Sequence, residues 1–185
     1  MSLKPQDIVV CLKLATWPDD NWRYETLAFS LGLSVSETHA AIKRLRWARL
    51  LDGTSKRPLR RNLLEMLNSG IKYFYTAQSG GQVTGLPTAF SASPLIEHLA
   101  KPDFPLFVWP YAEGTTYGIA LQPLYRTVPM AALQDKQLYE LLALTDAMRI
   151  HAPRSTILTM ELLRERIHNL SKNWHPNMDR HFIEN

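Results

Sequence analysis

Residues 27–37 read Leu-Ala-Phe-Ser-Leu-Gly-Leu-Ser-Val-Ser-Glu, and this one stretch holds both a helix stop and a helix start. Leu27, Ala28 and Leu31 recur at helical spacing and end at Gly32, a residue free to take the left-handed conformation that closes a helix. Ser34 followed three residues later by Glu37 forms a capping box. In that arrangement the hydroxyl oxygen accepts a first-turn amide and the carboxylate reaches back to the cap amide. A second helix therefore starts at Ser34 or Val35, directly after the first one stops. Upstream, Pro5 to Ala15 begins with a proline suited to the first helical position and continues almost entirely apolar, as a short helix buried on most sides would. The break Trp17-Pro18-Asp19-Asp20-Asn21 separates it from the helix that ends at Gly32. Arg23 stands where a Ser or Thr often caps that helix, so its cap is expected from Asp20 or Asn21, or is weak.

The helix that follows Ser34 has two unlike faces. Thr38, Ala41, Ile42 and Leu45 fall at i, i+3, i+4 and i+7 and form the inner one. Ser36, His39, Ala40 and Lys43 lie opposite, and their short, polar side chains suit close approach to the floor of a DNA major groove. A generic surface helix of a three-helix bundle is the plain alternative. The charge distribution weighs between the two. The chain of 185 residues carries a net +4, but residues 1–72 hold 12 basic against 7 acidic side chains and the remainder holds 9 against 10. Lys43, Arg44, Arg46, Arg49, Lys56, Arg57, Arg60 and Arg61 fall within nineteen residues, opposed only by Asp52. Such a cluster is either a solvated face or a phosphate-binding one.

Trp22 to Leu51, through Leu27, Ala28, Leu31, Gly32, Leu33, Ser34, Thr38, Ala41, Ile42, Leu45 and Leu50-Leu51, resembles the helix-turn-helix of winged-helix transcription regulators, the MarR-like group in particular. The resemblance covers about thirty residues directly, and about ninety with the preceding helix and a wing. It implies that the helix after Ser34 is a recognition helix. Ser34, Ser36, His39, Ala40 and Lys43 then map to positions that meet bases or nearby phosphates, with Arg44 and Arg46 on the flanks as phosphate contacts. It also implies a homodimer bound to double-stranded DNA. Trp47 departs from the pattern and is expected to pack under the wing.

After the polar stretch from Asp52 to Arg57, Pro58 opens Leu59 to Leu67 with helical spacing, an extra helix before the wing that Gly70 would end. Its Arg60 and Arg61, with Arg57, could grip the DNA backbone. Ile71 to Tyr75 then reads as a strand, Gln78 to Gln82 as a hairpin tip and Leu86 to Ala92 as a return strand. That hairpin is the expected wing, although its tip carries no cation; the short Asp52–Arg57 turn is the alternative. Ten of the eighteen aromatics lie between Tyr73 and Tyr125, a density that fits a core first and a ligand pocket or stacking surface second. Strands are expected at Leu106–Trp109 and Tyr117–Leu121, joined by a turn at Glu113-Gly114-Thr115. Residues 134–151 and 153–168 read as a helical hairpin split by Pro153. Leu138, Leu141, Leu142, Thr145 and Met148 stripe its first helix, and Ile157, Leu158, Leu162 and Leu163 its second. Its expected role is a dimer seam, with packing onto the middle sheet as the alternative.

The expected fold is thus α+β: a winged helix-turn-helix domain over 1–92, a small antiparallel β region plus helical hairpin over 93–168, and a polar tail over 169–185. No run approaches the roughly 20 apolar residues of a membrane span, and the opening Met1-Ser2-Leu3-Lys4-Pro5 lacks the order of a signal peptide, so a cytoplasmic, nucleoid-associated protein without a membrane partner is expected. Cys11, the single cysteine, sits in an apolar helical pattern and reads as core. No phosphate-cradling glycine loop and no His-Glu-x-x-His occurs, and His175, Asp179 and His181 in a polar tail make a poor metal site. No cofactor, metal or catalytic residue is expected. The function expected is a sequence-specific DNA-binding transcriptional regulator, a repressor acting as a homodimer. The alternative is a protein-partner-binding module, such as an antitoxin or an assembly component, that uses the helix-turn-helix for interaction.

Overall fold

The computed structural model describes residues 2–19, 21–99, 105–150 and 152–169. The tail from residue 170, with His175, Asp179 and His181, lies outside them, as do Asp20 and Phe104.

Helix α1 (Pro5–Thr16) starts at a proline, and buries Ile8 through Leu12 and Leu14. Cys11 is fully covered there. Burial, and then the charge of Asp7, push its thiol to about 12, so it is core and not a nucleophile at neutral pH. Helix α2 (Tyr24–Leu31) has Arg23 at its N-cap with no side-chain cap, the weak option, and ends at Gly32 with φ 61°. The Leu33 amide then closes on the Ala28 carbonyl at 2.9 Å. Helix α3 (Val35–Trp47) begins at the capping box: the Glu37 amide donates to Ser34 Oγ, and the Ser34 amide to the Glu37 carboxylate. Thr38, Ala41, Ile42 and Leu45 are its buried face, as the spacing requires.

Past Arg49, which takes φ 55°, Leu51 bridges Pro58 antiparallel. The Asp52 amide donates to the Arg57 carbonyl and the Leu59 amide to the Leu50 carbonyl, each at 2.9 Å. This is a minimal hairpin at the Asp52–Arg57 turn, directly after α3. Asp52 folds its tip by accepting the Thr54 and Ser55 amides. Burial alone would raise the pKa of this carboxyl, but those bonds outweigh it and hold the group below its usual range.

The segment expected to be helix, stop and strand is one continuous helix instead. α4 (Arg60–Glu65) runs through a π turn (Met66–Gly70) into α5 (Ile71–Phe74). Gly70 does not end it: its φ is −95°, and Met66 Sδ sits 2.7 Å from where a Cβ would be. The wide turn keeps Leu63, Leu67 and Ile71 buried together. With Ile71–Phe74 helical, the expected wing is overturned. Gln78–Gln82 is no hairpin tip, because strand β1 (Ser79–Pro87) runs through it, and residues after β1 form a 3₁₀ turn (Ala89–Ser91) rather than a return strand.

A short helix α6 (Leu95–His98) precedes strands β2 (Phe107–Pro110) and β3 (Thr116–Leu121). Both pair antiparallel with β1 and parallel with each other, so the β region is not the purely antiparallel one expected. The turn between them is where the sequence put it, with the Gly114 amide on the Tyr111 carbonyl at 3.0 Å. Three strands close on one another because glycines stand at the crossing. A methyl on Gly85 would overlap the Trp109 carbonyl, one on Gly114 would overlap the Gly85 carbonyl, and one on Gly118 would lie 2.6 Å from the Leu106 carbonyl.

Helices α7 (Val128–Gln134), α8 (Lys136–Ile150) and α9 (Pro153–Asn169) complete the chain. α8 and α9 form the expected helical hairpin, joined by Arg166 to Glu140 at 2.6 Å. The stripe Leu138, Leu141, Leu142, Thr145 and Met148 is buried by this same chain, against α1, α5, α7 and α9. That stripe is therefore used inside the chain, whereas Ile157 of the second stripe, on α9, is 72% exposed. Buried apolar residues from Ile8 to Ile167 form one continuous cluster that crosses residue 92. Inside it, Asp146 accepts from Trp109 Nε1 (2.6 Å), Thr88 Oγ1 (2.9 Å) and Arg149 Nη1 (2.6 Å). The architecture is α+β, and no helix among the described residues is long and apolar enough to cross a membrane.

Candidate nucleic-acid interface

The outer face of α3 is open. Ser34, Ser36, His39, Lys43 and Arg46 are exposed and Ala40 is half-buried, so the face is short-chained with cations toward its C-terminal end. Tyr24, His39, Ala40, Ile42, Lys43 and Arg46 line a cavity of about 380 Å³ with no acidic residue in its wall.

Arg44 is not part of this face. Its Nε and Nη2 donate to the two carboxylate oxygens of Asp7 at 2.7 and 2.6 Å, and Asp7 has no exposed surface. The paired carboxylate raises the guanidinium's pKa further. Arg44 therefore fastens α3 to α1 and is withdrawn from the expected phosphate contacts. Arg57 and Arg60 are half-buried and interact with other groups of the chain, while Arg61 is exposed. Trp47 does not pack under the hairpin; it is 63% exposed.

The residue under the hairpin is Trp22. Its indole Nε1 donates to the Lys56 carbonyl at 3.1 Å, and Lys56 Nζ sits 5.0 Å from its ring centre. Trp22 meets Tyr24 edge-on at 5.2 Å, and Tyr24 stacks on His39 at 3.5 Å. A continuous ladder of Lys56, Trp22, Tyr24 and His39 thus links the hairpin tip to the outer face of α3. Sequence reasoning missed it, although the alternating Trp22 and Tyr24 at the start of α2 were the available signal.

The start of α3 is gripped from a distant part of the chain. Tyr125 donates its hydroxyl to Glu37 at 3.1 Å, and Thr127 donates to the Leu31 carbonyl at 2.6 Å. Hydrogen bonds from the Ser34 amide and hydroxyl, and then from Tyr125, hold the Glu37 carboxyl below its usual range. Arg126, exposed between these two clamps, adds a cation near the start of α3. Nothing local to residues 34–47 could have pointed to it. No family model, no curated protein and no solved structure matches this chain.

Proposed function

We propose that this chain is a sequence-specific regulator that binds double-stranded DNA through a winged helix-turn-helix, with α3 as recognition helix and the Leu51–Pro58 hairpin as wing. The supporting observation is the outer face of α3: Ser36, His39 and Lys43 are exposed, His39 being stacked on Tyr24, Arg46 follows, and a hairpin carrying Lys56 is braced alongside through Trp22 and Tyr24. In this reading Ser36, His39 and Ala40 approach base edges, and Lys43, Arg46, Arg57, Arg60 and Arg61 neutralise phosphates. Repression by a homodimer belongs to the same proposal, with a surface other than α8 as its seam.

The test is selection of genomic DNA fragments by the protein and by a Lys43→Ala/Arg46→Ala variant, leaving Arg44 intact. Enrichment of one inverted-repeat site, lost in the variant, is the expected result; equal recovery by both proteins would remove the reading. With five phosphates neutralised per protomer, log K against log salt should slope at about −4 to −5 per protomer. A slope near about −1 would contradict the assigned cations.

One observation favours the second reading, a protein-binding module. Phe29 on α2 is 84% exposed, Met130 and Leu133 on the adjoining α7 are exposed as well, and Met130 reaches the Gly32 turn. An apolar group at the edge of the α2–α3 pair suits a protein partner. Co-purification of a second protein at fixed stoichiometry, lost in Phe29→Ser, would support that reading, and DNA selection without co-purification would set it aside.

A further inference from the structure

A cavity of about 320 Å³ adjoins the buried polar network at Arg149, lined by Pro5, Phe74, Tyr75, Thr76, Gln78, Gln122, Pro123, Leu124 and Arg149. Its walls are the rings of two prolines and two aromatics plus a leucine, with the neutral amides of Gln78 and Gln122 and the Thr76 side chain among them. The one charged group in the lining is Arg149, which is 5% exposed. The guanidinium is partly committed: Nε donates to the Tyr75 carbonyl at 2.7 Å, and Nη1 to the Gln122 carbonyl at 3.0 Å and to Asp146 at 2.6 Å. These bonds use Nε and Nη1. Among the described residues no acceptor meets Nη2, and no acidic side chain lines the cavity. Nη2 is not a sealed, unmatched donor, since the fully covered side-chain polar atom without a partner among the described residues is Asn68 Oδ1; the two N–H groups of Nη2 are open to solvent.

We propose that this cavity binds a small organic carboxylate, its planar apolar body between Phe74, Pro123 and Leu124 and its carboxylate accepting from Arg149 Nη2. The size fits: about 300 Å³ is the lower end of ligand pockets. The charge fits as well. Asp146 does not oppose an incoming anion strongly, because Trp109, Thr88 and Arg149 all donate to it, and burial pushes its carboxyl pKa upward against the pull of Arg149. No residue of α3 lines the cavity, so the site is tested apart from DNA binding.

Benzoate and its neutral counterpart benzamide are the probes, titrated into the full chain and followed by amide chemical shifts. Expected are saturable shifts for benzoate at residues 74–78 and 122–124, with a dissociation constant of about 1 mM, and binding of benzamide at least about tenfold weaker. Arg149→Lys, checked for folding by circular dichroism, should narrow the difference between the probes, since an ammonium keeps the charge but has no donor at the Nη2 position. Phe74→Ala, at an exposed position that the fold does not depend on, should weaken benzoate about threefold or more. Equal binding of both probes, shifts confined to other residues, no saturation at about tenfold higher concentration, or an unchanged constant in Phe74→Ala would each overturn the proposal.

Discussion

Lys43 and Arg44 are neighbours in sequence with opposite fates. One step along a helix turns a side chain by about a quarter circle, so Lys43 faces outward while Arg44 swings beside the Ala41–Leu45 edge and reaches Asp7. The composition of the basic cluster could not separate the two. The separating signal was an acid, Asp7, in the first turn of an otherwise apolar helix, where a fully covered carboxylate needs a cation. Asp7→Ala should therefore leave Arg44 without its partner and cost about 3 kcal/mol of stability in urea unfolding, as breaking a buried pair does. Lys43→Ala and Arg46→Ala should each stay within about 0.5 kcal/mol of wild type, as exposed substitutions do. If Arg44→Ala were as mild as Lys43→Ala, the ion pair would have no structural role and Arg44 would return to the list of phosphate contacts.

Helices with their own punctuation were readable from sequence, and those shaped by distant contacts were not. α1 has its proline, α2 its glycine, α3 its capping box, and α8 and α9 their periodicity around Pro153. The continuous helix from Arg60 to Phe74 was misread because a glycine inside a π turn looks locally like a stop, and a five-residue run with three aromatics cannot be told from a strand by pattern alone. α7 carries no periodic signal long enough to register, yet it packs on the α2–α3 turn. Two substitutions measure how much the turn matters. Gly32→Ala forces a side chain into positive φ with a methyl 3.1 Å from both Met130 and Thr127, and should cost about 1 to 2 kcal/mol. Ser34→Ala removes the cap and should cost about 1 kcal/mol. The acid side follows from Glu37. Its folded pKa is depressed, so its contribution is fully present above the ordinary value of 4.5 and is lost as pH falls through the lower folded value. The stability gap between wild type and Glu37→Gln should accordingly narrow as pH drops below 4.5; a gap independent of pH would mean that the box is not formed in solution.

At the scale of the whole molecule, the division at residue 92, drawn at the end of the expected return strand, does not separate two cores. α8 lies at the centre and packs against α1 and α5, and Lys13 of α1 pairs with Asp135 just before α8 at 2.7 Å. Local patterns cannot reveal such a contact, since its partners stand more than a hundred residues apart. Residues 1–92 expressed alone should therefore lack a cooperative thermal transition and dispersed amide spectra, because the stripe that covers α1 is missing; a well-folded fragment would show that the first three helices need no such cover. The glycine crossing of the small sheet carries a different consequence, one for inheritance. Gly85, Gly114 and Gly118 leave no room for even one added carbon beside a neighbouring backbone carbonyl, whereas Ser36, Ala40 and Lys43 bear little of the fold. In a library of random variants scored for cellular abundance, those three codons should be nearly frozen while the outer face of α3 drifts freely. The chain could thus change what that face recognises over generations without renegotiating its architecture.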